Sequence, residues 1–187
     1  MRNLYRMCKV TVLLTVVLAT WSCRASERAP SATPEQNTTG AHPLEGVWRE
    51  AEIVVTGANA STIQNPQPSL YLFTPTHYAM MGTLGDRPRP LNKAFDPTKE
   101  EKIAAYDSFW GNAGTYEVTG DILTIRPIIA RVPNFMAGGY QKYQIRVDGD
   151  TLWLTGKSMD EYFRFGEQVV PASPLPSETR TKLARVR

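Results

Sequence analysis

From Gly46 onward the chain is a succession of short apolar runs, several alternating apolar and polar residues with a period of two, divided by turn signals. A period of two sends successive side chains to opposite faces, which is the pattern of half-buried strands. The runs are Gly46 to Val55, Leu70 to Thr74, Tyr78 to Gly82, Gly114 to Val118, Ile122 to Ile129, Tyr140 to Val147, Thr151 to Thr155, Tyr162 to Phe165 and Lys182 to Val186. Thr119-Gly120-Asp121 and Asp148-Gly149-Asp150 are tight hairpin signals, because Gly and Asp accept the positive φ such turns need. Neighbouring runs are therefore expected to pair antiparallel. An open sheet of so many strands would leave aggregation-prone edges, and closure removes them. The expected fold class is all-β, an antiparallel barrel of about eight strands with one short helix.

That helix is expected over Thr98 to Trp110. Thr98 and Glu101 have capping-box spacing, Ile103, Tyr106 and Trp110 fall on one face, and Gly111 and Gly114 bracket the end. One helix beside a meander of hairpins suggests a cover over one mouth or flank of the barrel.

The N-terminus reads as an address. Arg2, Arg6 and Lys9 precede an apolar run from Val10 to Trp21, the order of a secretory signal. The run is shorter than the roughly 20 apolar residues a spanning helix needs. Thr20-Trp21-Ser22-Cys23 follows, and a small residue before a cysteine at this place resembles a bacterial lipoprotein processing site, with Cys23 carrying the lipid. Trp21 stands where that pattern has a small residue, so cleavage to a soluble, secreted chain stays open beside lipidation. Cys8 lies inside the signal, which leaves Cys23 without an intramolecular disulfide partner. The segment from Arg24 to Pro43, rich in Ser, Thr, Pro, Ala and charge, is expected to be a flexible tether. The expected organisation is thus a signal over 1–23, a tether over 24–43 and one domain over 44–187, exported and either anchored in the cell envelope or secreted.

Charge and composition exclude several function classes. The net charge of +3 is owed to the signal: without Arg2, Arg6 and Lys9 the 21 basic side chains fall to 18, equal to the 18 acidic ones. No field remains to draw in a polyanion, so nucleic acid is not an expected partner. The basic cluster at Arg180, Lys182, Arg185 and Arg187 reads as a solvated strand face and tail. His42 and His77 are the two histidines and His42 falls in the tether, so no histidine-based metal site or Ser-His-Asp triad is expected. Gly138-Gly139 precedes a strand, not the helix that a phosphate loop requires. Asp148 and Asp150 flank a turn glycine, and Glu100 and Glu101 start the helix, so each has a structural role. No cofactor is implied.

A resemblance narrows the fold. Gly46-Val47-Trp48 looks like the Gly-x-Trp opening of the first lipocalin strand. Ala104-Ala105-Tyr106, Gly114-Thr115-Tyr116-Glu117-Val118-Thr119-Gly120-Asp121 and Pro133-Asn134-Phe135-Met136-Ala137-Gly138 follow, then Gln141, Arg146 and Gly149-Asp150-Thr151-Leu152. In that order and spacing the set resembles the bacterial and fungal family of lipocalin-like domain proteins, from about Leu44 to Arg187. The resemblance implies a lipocalin-like barrel with an internal cavity able to hold one small apolar ligand. It also implies that Arg185 stacks on Trp48 and closes the barrel bottom, a structural role for both. Members often carry a histidine on the strand after the Tyr-Glu-Val hairpin, whereas this chain has Leu123-Thr124-Ile125-Arg126-Pro127.

Candidate ligand-binding residues come from the strand aromatics. Tyr71, Phe73, Tyr78, Tyr116, Tyr143 and Trp153 lie on expected strands, Met80 adds adaptable lining, and Arg126 offers a cation to an acidic ligand head. Period two alone does not decide which face Arg126 takes. Two interiors stay open, a ligand-lined cavity and a solid core. Three functions follow: a barrel that binds a small hydrophobic or amphipathic ligand, a lipocalin-fold isomerase or cyclase acting on an apolar substrate, and an envelope protein-interaction module with a solid core.

Overall fold

The computed structural model describes residues 42–57, 60–85, 87–89, 92–173 and 175–187. The signal, Cys8, Cys23 and nearly all of the tether lie outside the described residues.

Ten strands and two helices follow in order. They are β1 (Gly46–Gly57), β2 (Ser61–Gln64), β3 (Ser69–Phe73), β4 (His77–Thr83), α1 (Lys99–Asp107), β5 (Phe109–Thr119), β6 (Ile122–Ala130), α2 (Pro133–Met136), β7 (Tyr140–Asp148), β8 (Thr151–Phe165), β9 (Gln168–Pro171) and β10 (Ser177–Arg185). From β3 to β8 each strand pairs with the next, β1 pairs with β3 and β10, and β10 returns to β8. That ring of eight strands is a closed antiparallel β-barrel. β2 and β9 lie off the ring, each paired to one strand, β1 and β8 respectively.

All nine expected runs fall on strands, but two are one: Thr151–Thr155 and Tyr162–Phe165 belong to the single 15-residue β8. The four-residue strands β2 and β9 are too short to show a period of two. α1 carries the expected capping box, with Thr98 Oγ1 accepting from the Glu101 amide and the Glu101 carboxylate accepting from the Thr98 amide. It stops at Asp107, and Trp110 is strand, paired with Gly82 across β4 and β5. Ile103 and Tyr106 are half exposed, so α1 has no buried face and rests on the flank.

One end of the barrel is solid. Leu44, just before β1, and Trp48, Leu123, Ile125, Leu152 and Leu183 on the strands are completely buried there. The Trp48 indole N–H donates to the Leu44 carbonyl at 2.9 Å, so the one polar atom of this plug is satisfied. Outside it, the Arg185 guanidinium stands 4.0 Å from the Trp48 ring centroid and donates to the carbonyls of Glu45 (2.8 Å) and Pro43 (2.9 Å). The stack that the sequence led one to expect is present, and it locks the entering chain to the last strand. His42, expected in the tether, shapes that entry: its carbonyl and Nδ1 accept from the amides of Glu45 and Leu44.

Three bulges set the remaining inward positions. Between Glu50 and Glu52, β1 advances two residues while β10 advances one, so inward placement passes from Glu50 to Ile53. Between Ala113 and Gly114, β6 gains one residue, which turns both Ile128 and Ile129 outward (each 63% exposed) and Ala130 inward. Between Gln141 and Tyr143, β7 advances two residues while β8 advances five, from Gly156 to Glu161.

Candidate functional site

Beyond the plug the lumen is hollow. A cavity of about 500 Å³ opens at the end of the barrel formed by the later half of β1, the start of β10, the middle of β8 and the facing parts of β5, β6 and β7. Ile53, Trp110, Leu154, Phe135 and Phe163 supply its apolar wall. α2 contributes Phe135, which is 4% exposed and packs edge-on against Phe163 at 5.2 Å between centroids. Pro133 at the start of α2 and the Gly139 amide bonding back to the Phe135 carbonyl make this turn compact enough to sit on the mouth.

The polar wall is built around two carboxylates. Glu50 lies two residues beyond Trp48 on the same inward row, and the Tyr71 hydroxyl, from the neighbouring strand, donates to its Oε1 at 2.5 Å. Burial pushes the Glu50 carboxyl above its ordinary value, while hydrogen bonds with Tyr71 and Ser69 pull the other way. Burial, reinforced by the nearby Glu50 charge, raises the Tyr71 hydroxyl well above its ordinary value, so the shared proton stays on tyrosine. Glu161 enters the lumen because of the excursion in β8, and burial raises its carboxyl too. Its side chain accepts no hydrogen bond from the described residues. Tyr143 donates to Gln141 Oε1 at 2.5 Å and is raised first by burial, then by the fields of Glu161, Tyr78 and Glu50. It therefore lies within electrostatic reach of both carboxylates. Asn112 Oδ1, on the cavity wall, and the Tyr78 hydroxyl are buried without a partner among the described residues.

The two cations of the lining, Arg131 and Lys157, form no ion pair with Glu50 or Glu161 among the described residues. Arg131 donates to the Tyr106 carbonyl at 2.8 Å and lies 4.7 Å over the Tyr106 ring, holding the end of α1. Lys157 is exposed and sits opposite Glu178 across β8 and β10. No group of three or more metal-ligating side chains occurs among the described residues.

Of the eight candidate ligand residues, Tyr71 and Tyr143 line the cavity. Phe73, Tyr78 and Met80 are interior but belong to the packed part of the core. Tyr116 packs edge-on against Phe73 and donates to the Thr74 carbonyl at 2.6 Å, below the cavity. Arg126 and Trp153 correct the expectation. Arg126 faces solvent, paired with Glu117 at 2.9 Å, because Ile125 and Pro127 on either side take the inward positions. Trp153 faces outward between buried Leu152 and Leu154, under the guanidinium of Arg146 at 3.9 Å. Glu50 was legible in principle, since Trp48 fixes the inward parity of β1. Glu161 was not, because no local signal announces three extra residues on one strand. Trp110 and Asn112 were hidden by reading their segment as the end of a helix.

Fold and cavity define a class: small closed antiparallel β-barrels whose lumen is solid at one end and hollow at the other. No protein-family model matches the chain, and no curated protein matches it. Among solved structures, an uncharacterized protein from Bacteroides eggerthii aligns with a TM-score of 0.38 at 10% identity, over 76% of this chain and 98% of that one.

Proposed function

We propose that this chain is an exported, lipocalin-like barrel that binds one small amphipathic molecule in the hollow half of its lumen. The observation that carries the reading is the cavity itself. Its volume of about 500 Å³ falls within the range of small-molecule sites, and its lining joins an aromatic wall to a few polar groups. Side chains pack the Trp48 end and leave space at the other, which favours a guest in the lumen over the rival with a solid interior. Export is supported by the order of Arg2, Arg6 and Lys9 before the apolar run, and a lipid on Cys23 would hold the barrel at a membrane of the cell envelope.

Native mass spectrometry of protein purified from its own envelope fraction tests both parts. A mass excess that disappears on denaturation is the expected result, together with a denatured mass matching an acylated chain beginning at Cys23. A bare native mass across independent preparations would overturn the carrier reading, and an unacylated denatured mass would make the protein secreted. The Tyr71–Glu50 pair favours a second reading, a lipocalin-fold isomerase or cyclase, because it puts an acid and a base in hydrogen-bond contact inside the cavity. Conversion of the recovered molecule by the wild-type chain but not by Glu50→Gln would move the assignment there.

A further inference from the structure

The ligand's chemistry can be read from which groups in the cavity already have partners. Two tyrosine hydroxyls of the lumen are engaged, Tyr71 by Glu50 and Tyr143 by Gln141. What stands open is acceptor capacity. The Glu161 carboxylate accepts nothing from the described residues. Glu50 has its Oε1 bonded to Tyr71 and still carries further acceptor lone pairs.

The charge balance agrees with this independently. Ion pairs among the described residues, Lys102–Asp96, Arg126–Glu117 and Arg185 and Arg187 with Asp150, lie outside the cavity. None reaches Glu50 or Glu161. Arg131 is committed to α1, and Lys157 is exposed. Two carboxylates partly withdrawn from water without an ion-pair partner are unfavourable, and a positively charged guest relieves that penalty. An acidic guest would compound it. Around them Trp110, Phe135 and Phe163 form an apolar, aromatic wall suited to an organic body and to a cation beside a ring face.

Resting on the binding reading above, we propose that the lumen holds an organic amine, its ammonium donating to Glu161 and Glu50 and its apolar body lying against Trp110, Phe135 and Phe163. The selectivity is for a cation with several N–H donors over a neutral alcohol of the same shape, and against a carboxylate.

The test is calorimetric titration of the full mature chain with matched probes. Phenethylamine, tryptamine and octylamine are each compared with the corresponding alcohol and carboxylic acid at neutral pH. The expected result is that at least one amine binds about tenfold or more tighter than its alcohol, the scale of one charge-assisted contact, while the acids do not bind. Glu161→Gln is expected to remove that preference while its far-UV circular dichroism and cooperative thermal melt are retained, which shows that the barrel is intact. This variant is chosen because the Glu161 carboxylate supports no other side chain; Glu50→Gln, which disturbs Tyr71, is the second. Equal binding of amine and alcohol, a preference for the acid, or an amine preference that survives both variants would overturn the amine inference and leave a binding barrel standing. Failure of every amine to bind also overturns it. In that case the native mass excess decides separately whether the binding reading stands.

Discussion

Arg185 shows how much one side chain does when it joins distant segments. Its guanidinium covers Trp48, donates to the carbonyls of Pro43 and Glu45, and lies 3.6 Å from Asp150 in the hairpin before β8. Arg185→Met keeps the apolar stem and removes all of these at once. Urea denaturation is expected to show a loss of about 2–3 kcal/mol, the sum of a cation–π contact and two charge-assisted hydrogen bonds, with no change in ligand affinity. Arg126 is the contrast. It is more than half exposed and salt-bridged only to Glu117, also on the surface, so Arg126→Ala is expected to change stability by less than about 0.5 kcal/mol. Both arginines lie on strands, and the sequence separated their roles only partly. Trp48 gave Arg185 a partner by resemblance, whereas nothing local told Arg126 whether Leu123, Ile125 and Pro127 or their neighbours would face inward.

The elements owe their lumen-facing sets to the bulges as much as to alternation. Gly114 sits at the step where β6 carries an extra residue, and a Cβ there would run into the backbone of Arg126, Pro127 and Ile128. Backbone cannot rotate away as a side chain does. Gly114→Ala is therefore expected to lose at least about 2 kcal/mol in a denaturant titration and to disturb Asn112 and Ala130, which follow the bulge into the cavity. An alanine tolerated at wild-type stability would mean the step is not fixed. The legible part of each strand is its uninterrupted stretch, as in Leu123 to Pro127. The illegible part begins where an extra residue reverses parity, which is why the Gly156–Glu161 excursion escaped a reading by period. The end of α1 was lost for a related reason. Helical spacing continued through Trp110, but pairing of that segment with β4 gave its backbone a strand partner.

For the whole molecule, the hollow half is a concession of stability made in the ligand-free state. Glu50 and Glu161 both have carboxyl groups raised above the ordinary 4.5 by burial. In the unfolded chain they return to that value, so between it and the raised values the folded barrel binds more protons than the unfolded chain. Stability contributed by protonation is then fully present below 4.5 and is lost as the pH rises through the raised values. Calorimetry of ligand-free protein is expected to show the melting temperature rising as the pH is lowered from 7 towards the ordinary carboxylate range. The Glu50→Gln, Glu161→Gln double variant should flatten that limb and melt higher at pH 7, since it removes two partly buried charges. A melting temperature that falls throughout this range would mean that the carboxylates are paired in solution.

Alternation, turn chemistry and one capping box were enough for the class of fold: hairpins at Gly120 and Gly149, a helix opened by Thr98, and enough strands that closure is the stable outcome. These are short-range effects, encoded within a few residues of where they act. The division of the lumen into plug and cavity was decided by the closed barrel, because it depends on which residues meet across strands far apart in the chain. Glu50 and Tyr71 are 21 positions apart and Glu161 lies more than a hundred beyond Glu50. Only the ring that joins β10 to both β1 and β8, with bulges resetting inward parity along the way, brings those groups to one partly buried cavity.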